Sequence, residues 1–285
     1  MAGGRIPPGA VLADPLTSSL MTIYLDLTRE FNAGRLRTIL CSGQAVVMLR
    51  LAIASKDGDW ILREDQEAID HVLEVLESHG ATYRFGAPLD LRWLRQGWSS
   101  HFEFRQGDLR VRTDFFTRPP RVPADELAAL WLAQEGKDPP FTEPLVLLRI
   151  KQTGREKDWP IVGELARLLP AVHDQMRHSR SARDLLVLAA AHPDLVARLS
   201  DERPALRAIP RGLDELRMEL ERERFAAMDA DQRRVRAYLA ASQPLAKAWP
   251  EIEQRMAGLP LRRAHPLVVA FAERWLPTVN PATSS

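Results

Sequence analysis

His101–Phe116, HFEFRQGDLRVRTDFF, is the stretch on which the fold turns. Both arms alternate in polarity around Gln106-Gly107-Asp108, which supplies the turn of a β-hairpin. In an extended arm, residues two apart point the same way. Arg110, Arg112, Asp114 and Phe116 therefore share one face, and Leu109, Val111, Thr113 and Phe115 share the other.

Upstream lies SKDGDWIL, Ser55–Leu62, which reads as another strand. Asp57 and Asp59 share a face with Ile61, while Trp60 and Leu62 point oppositely into a core. Strands usually avoid aspartate. If the hairpin lies beside this strand, Asp114 joins the pair. Two carboxylates about 4 Å apart repel by roughly 4 kcal/mol at an effective dielectric of about 20, so something positive must offset them. Magnesium suits hard oxygen ligands and leaves positions open for phosphates, and two ions about 3.5–4 Å apart clamp both oxygens of an in-line displacement. The plainer reading is that Asp-Gly-Asp is turn chemistry on a solvated loop.

Around these strands the pattern alternates. Residues 22–36 suit a short helix, RTILCSG (37–43) a buried strand, and QAVVMLRLA (44–52) a helix starting at the glycine turn. REDQEAIDHVLEVLESHG has Ile69, Val72, Leu73 and Leu76 at helical spacing and Gly80 as its stop. ATYRFG (81–86) reads as one more strand. After residue 122 almost everything is helical: 123–135, 143–155, and a helix from Pro160 to Leu169. Five further helices follow, punctuated by Pro193, Pro204, Pro210, Pro244, Pro250, Pro260 and Pro266. The expected class is α+β, a small mixed sheet flanked by helices, then an all-helical C-terminal region from 171 to 285. Residues 1–18 read as a loose N-terminus.

Composition narrows the function classes. With 39 Lys and Arg against 38 Asp and Glu, no global positive field gathers nucleic acid. The single cysteine, Cys41, excludes a disulfide framework and a cysteine-built zinc site. The N-terminus lacks a secretory pattern, and Leu185–Ala191 is too short an apolar run to span a bilayer. A soluble cytoplasmic protein, with no membrane partner, is expected.

Two neighbours bear on the acids. Ser42-Gly43 closes a strand and opens a helix, where backbone N–H groups can meet an anion; a plain tight turn reads equally from these two residues. In LLRIKQTGREKDW, Lys151 and Arg155 are four apart, share a helix face and reach toward a triphosphate; alone they read as a solvated basic face. The seven histidines show no metal-ligand spacing and read as surface residues, and no Ser-His-Asp or Gly-x-Ser-x-Gly arrangement points to acyl transfer. Arg92, Trp93, Arg95 and Trp98 read as a loop packed by two tryptophans rather than a base-stacking platform. Gly212–Met228 reads as a helix laced with ion pairs.

Taken in order, Ser42-Gly43-Gln44-Ala45, Asp57-Gly58-Asp59 and Asp114 on a later strand, followed by LLRIKQTGREKD (Leu147–Asp158), resemble the nucleotidyltransferase superfamily typified by DNA polymerase beta. The likeness is nearest to the bacterial minimal, abortive-infection and toxin-type enzymes. It spans about residues 35–165, within a domain of residues 19–170. It implies a metal-dependent transfer of a nucleoside monophosphate from a nucleoside triphosphate such as ATP to an acceptor hydroxyl on RNA, protein or a small molecule. It also implies that Asp57, Asp59 and Asp114 bind two magnesium ions, with Asp114 activating the acceptor. Ser42 and Gly43 would cradle phosphates, and Lys151 and Arg155 would neutralise the triphosphate. The chain departs from the pattern at Ser42, Gln44 and Gly58. A non-catalytic binding or regulatory module with a protein partner such as an antitoxin, and a metal-dependent nuclease, are the alternatives.

Overall fold

A computed structural model describes residues 15–283, with side chains described for residues 21–282. The α+β class expected from the sequence is what the chain adopts. In chain order the described elements are α1 (Pro15–Phe31), β1 (Thr38–Cys41), α2 (Ser42–Met48), β2 (Gly58–Leu62), α3 (Gln66–Ser78), β3 (Thr82–Tyr83), α4 (Leu91–Leu94), β4 (Ser100–Gln106), β5 (Leu109–Phe116), α5 (Ala124–Gln134) and α6 (Pro144–Lys151). Then come α7 (Trp159–Arg167), α8 (Val172–His178), α9 (Ala182–Ala191), α10 (Pro193–Leu199), α11 (Leu213–Met256) and α12 (Leu261–Trp275). The loose segment read over residues 1–18 lies outside the described residues up to residue 14, and from Pro15 the chain is helical.

The sheet runs β1-β2-β5-β4-β3. β4 and β5 form the expected hairpin, with Gln106 opposite Leu109 and His101 opposite Asp114. β5 then lies parallel to β2, and Asp59 pairs in register with Asp114. One face of the sheet carries Trp60, Leu62, Phe102, Phe104, Val111 and Phe115, all buried in the main core. Trp60 stacks on Phe115 at 5.4 Å and meets Phe31 edge-on at 5.3 Å, while its indole N–H donates to Thr28 Oγ1 at 3.0 Å. The opposite face is covered near β1 and β2 by α5 and α6, where Ile39, Cys41, Ile61, Leu130 and Val146 pack together. Farther along β5 and β4 the residues on that face turn polar, and the acids sit there.

Three sequence expectations are corrected. The helix expected over 143–155 stops at Lys151, so Lys151 and Arg155 do not share a helix face; Arg155 lies in the following loop. Pro244 and Pro250 do not divide the tail but sit inside the 44-residue α11, and Pro266 sits inside α12. An interior proline costs a helix about 3 kcal/mol. Buried Leu245, Trp249 and Ile252 from α11, with Leu261, Val268 and Ala272 from α12, enter the same core as the sheet and offset that cost. Histidines are not all surface residues: His178 is buried, and its pKa is pushed down to about 4 by burial and by nearby arginines, Arg149 first. Trp93 and Trp98 are buried as expected, each donating its indole N–H to the C-terminal backbone, at Leu276 O and Thr278 O.

The start of α11 and α8–α10 close a separate apolar cluster around Met176, Leu185, Leu206, Leu216 and Leu220. The start of α11 is laced with ion pairs as expected, but at three-residue spacing: Arg217 with Asp214, Arg222 with Glu219 and Arg224 with Glu221. Among the described residues, no helix is long and apolar enough to cross a membrane.

Candidate active site

Asp59 stands second in β2 and Asp114 sixth in β5, side by side because the two strands are parallel and in register. Asp57 precedes β2 in a bend, so it is held by a loop rather than by the strand expected from residue 55. Three contacts fix that loop. Gln44 Nε2 donates to Ser55 O at 3.1 Å and Asp57 O at 3.3 Å, and Tyr24 Oη donates to Lys56 O at 2.7 Å. Gln44 thus ties α2 to the acidic loop.

Gly58, between the two acids, has a packing reason. A Cβ there would lie 2.4 Å from the Trp60 ring and 2.6 Å from the Tyr24 ring. The Tyr24 ring fills the space that a side chain between the two acids would take. Gly43 is equally constrained: its Cβ would sit 2.1 Å from Ser55 Oγ. Ser42 adopts a left-handed backbone at φ 53°, and its hydroxyl donates to Asp59. In this arrangement Gly43 leaves room for Ser55 of the acidic loop, and Ser42 contacts the acid of β2.

The electrostatics are those of crowded negative charge. Burial first, then Asp114 and Asp57, push the Asp59 carboxyl up to about 7 against the opposing pull of Lys151 and the Ser42 hydroxyl. Burial also raises Tyr24 to about 12, reinforced by the same three acids. Asp57 Oδ1 is buried without a hydrogen-bond donor, and its nearest cation is Arg112 Nη1 at 3.8 Å. Asp114 Oδ1 lies 2.8 Å from His101 Nδ1, whose N–H is not aligned for a hydrogen bond, and 3.3 Å from Arg84 Nη1.

Lys151 is buried, with Nζ 3.8 Å from Asp158 Oδ1. Arg155 also engages Asp158, at 2.7 Å, so this acid gathers the two basic residues that no helix face aligns. The Lys151 loop is fastened by α11. Asp231 accepts from Gly154 N at 2.7 Å and from Arg121 Nη1 at 2.7 Å, and Arg121 also donates to the carbonyls of Arg149 and Ile150.

The donor chemistry fits a divalent cation at Asp57 and Asp59, given one buried oxygen without a donor and one carboxyl whose pKa is raised by burial and by the neighbouring acids. The third acid is engaged by basic side chains. Among the described residues, no three His, Cys, Asp or Glu side chains stand as a ready metal-holding group.

The structure adds His101, Arg84, Tyr24, Arg112 and Asp231 to the residues picked from the sequence. His101 was within reach of sequence reasoning, since the two-residue hairpin turn fixes its register against Asp114. Arg112 shares a strand face with Asp114. Arg84, Tyr24 and Asp231 carry no local signal.

Two measurements probe the site without substrate. The folded value of Asp59 lies above the unfolded 3.8, so its stabilisation is complete below about pH 4 and is lost as pH rises through about 7. The charge then costs on the order of 2–4 kcal/mol. In EDTA, wild type loses more thermal stability than Asp59→Asn between about pH 5 and pH 8. Parallel melting profiles of the two proteins would contradict this. Ser42→Gly relieves the left-handed backbone by about 0.5–1 kcal/mol but removes the hydroxyl from Asp59. Carboxyl NMR titration of that variant gives a higher Asp59 midpoint than wild type.

Compared with known proteins, the chain matches no family model, no curated protein and no solved structure.

Proposed function

We propose that the chain is a metal-dependent nucleotidyltransferase that moves a nucleoside monophosphate from a nucleoside triphosphate, such as ATP, to an acceptor hydroxyl. One observation carries this reading: Asp59 and Asp114 are in register on adjacent parallel strands, with Asp57 close enough that both raise the Asp59 pKa. Structural carboxylates are ordinarily paired so that their pKa falls; here one is driven toward neutrality, as at sites that receive a cation.

Asp57, Asp59 and Asp114 would hold the divalent cations, two magnesium ions on this reading, which would supply charge neutralisation at the reacting phosphate. The chain's own residues do the remaining work. Asp114 accepts the proton of the acceptor hydroxyl as the oxygen–Pα bond forms. The bond from Pα to the bridging oxygen breaks, and its electron pair leaves with pyrophosphate. Lys151, fixed by the Asp231 clasp, and Arg155 meet the negative charge of the triphosphate, and Ser42 and Gly43 line its approach. Catalysis is positioning plus charge neutralisation.

The test is incubation with each α-labelled nucleoside triphosphate, magnesium and cell extract. A labelled RNA, protein or small molecule is expected. No labelled product with any triphosphate would overturn the proposal.

A second reading is a non-catalytic module of similar fold with a protein partner. It draws on the engagement of Asp114 by His101 and Arg84. It requires that calorimetry detect neither magnesium nor nucleotide binding. A nuclease using the same acids would degrade nucleic acid with no triphosphate present.

A further inference from the structure

We infer that Arg112 and Arg84 are exchangeable counter-cations. They hold Asp57 and Asp114 while the site lacks metal, and on metal binding they turn to hold phosphate oxygens of the incoming substrate. The inference rests on the nucleotidyltransferase reading and assigns two substrate-gripping residues that the sequence motifs do not include.

The geometry shows both arginines loosely held. Arg112 Nη1 is 3.8 Å from Asp57 Oδ1, beyond hydrogen-bond range, and its buried Nε has no partner. Its counterpart oxygen on Asp57 is buried and likewise lacks a donor. Arg84 divides itself between Asp114 Oδ1 at 3.3 Å and Glu103 Oε2 at 3.6 Å. By contrast, arginines with a structural role in this chain sit tightly: Arg37 on Glu67 at 2.6 Å and Arg149 on Glu126 at 2.6 Å. Long, divided contacts are easily exchanged, because little hydrogen-bond energy is lost on leaving them.

Placement supports the exchange. Arg112 is two residues before Asp114 on β5, so both project from the same face of the central strand. Arg84 follows β3 directly, and its backbone N–H donates to His101 O at 2.9 Å, which fixes its Cα beside the acid. Both side chains are about one-third exposed, at 37% and 31%, so their guanidinium groups have solvent into which to swing. Asp57 and Asp114 would give their carboxylate oxygens to a divalent cation when one is bound. Each displaced guanidinium then faces a site that is about to receive a polyanion, for which its planar fork is well shaped.

The exchange makes a prediction of opposite signs. Removing an arginine removes a competitor for the metal, so metal affinity rises; it also removes a phosphate contact, so nucleotide affinity falls. Arg112→Gln, Arg84→Gln and the double variant are compared with wild type by calorimetry, first with manganese alone, then with a non-hydrolysable nucleoside triphosphate at saturating manganese. Manganese is expected to bind about 3–10-fold tighter to each variant and the nucleotide about tenfold weaker, equivalent to about 1.4 kcal/mol. Circular dichroism confirms the fold, and two positions on different segments, one in β5 and one after β3, guard against one variant failing to fold. Metal affinity that is unchanged or lower in both single variants overturns the inference and leaves the proposed function standing. Wild type that binds no manganese at millimolar concentration overturns both.

Discussion

Asp59→Ala and Asp114→Ala proteins fold and transfer no detectable label, a loss of at least about 10³-fold in rate. The expectation follows from the position of the two side chains rather than from their number. They are register partners on neighbouring parallel strands, and Asp59 already carries the burden of its neighbours' charge. On the proposed reading, removing either one would leave too few carboxylates to hold the cation that would neutralise charge on the reacting phosphate. Stability moves the other way. Loss of a buried carboxylate that is pushed up to about 7 relieves repulsion, so the Asp59 variant melts above wild type at pH 8 in EDTA. That opposite movement separates a chemical role from a structural one. Variants that label as well as wild type would end the catalytic assignment, and variants that unfold would show that the acids hold the sheet together.

Gly58→Val is expected to destabilise the chain by about 3 kcal/mol and to abolish whatever binding the acids support. Gly58 lies between Asp57 and Asp59, and its missing Cβ would meet the Trp60 ring at 2.4 Å and the Tyr24 ring at 2.6 Å. Neither ring can yield. Trp60 is fully buried, stacked on Phe115 and hydrogen-bonded to Thr28. Tyr24 is buried and anchors the loop through Lys56 O. The strain therefore falls on the backbone carrying both acids. Urea melts of Gly58→Val, and of Gly58→Val combined with Tyr24→Ala, measure it. Recovery of part of the loss in the double variant is expected, because removing the tyrosine ring opens one of the two clashes. A Gly58→Val protein as stable as wild type would show that the tyrosine ring is not wedged against the acidic turn.

Part of the site was legible because some of its geometry is local. The alternation of His101–Phe116 gave the hairpin and its faces, with Asp114 on one and Val111, Thr113 and Phe115 on the other, now seen buried; the register was not given, because Gln106, read as part of the turn, is a strand residue paired with Leu109. The opposite-facing Trp60 and Leu62 went into the core as their spacing required. Lys151 and Arg155 misled, because the four-residue spacing has meaning only if the helix continues. Here Thr153 N turns back to Lys151 O at 2.8 Å and the helix ends. The prolines of the tail misled for the converse reason: a local breaker lost to burial of residues around it.

The sequence by itself determined the α+β class, the sheet-then-helices order and the strand faces of Asp59 and Asp114, because a side-chain period of two in strands and about 3.6 in helices is a property of short segments. Only the tertiary structure decided that β5 lies parallel to β2 with Asp114 beside Asp59, and that Tyr24 fills the space at Gly58. It also decided that Arg84 and His101 reach Asp114, and that Asp231 of α11 clasps the Lys151 loop. Those contacts join segments 30 to 110 residues apart, save the hairpin's own His101. They exist because the assembled core fixes where each segment must lie, and no window of neighbouring residues encodes that.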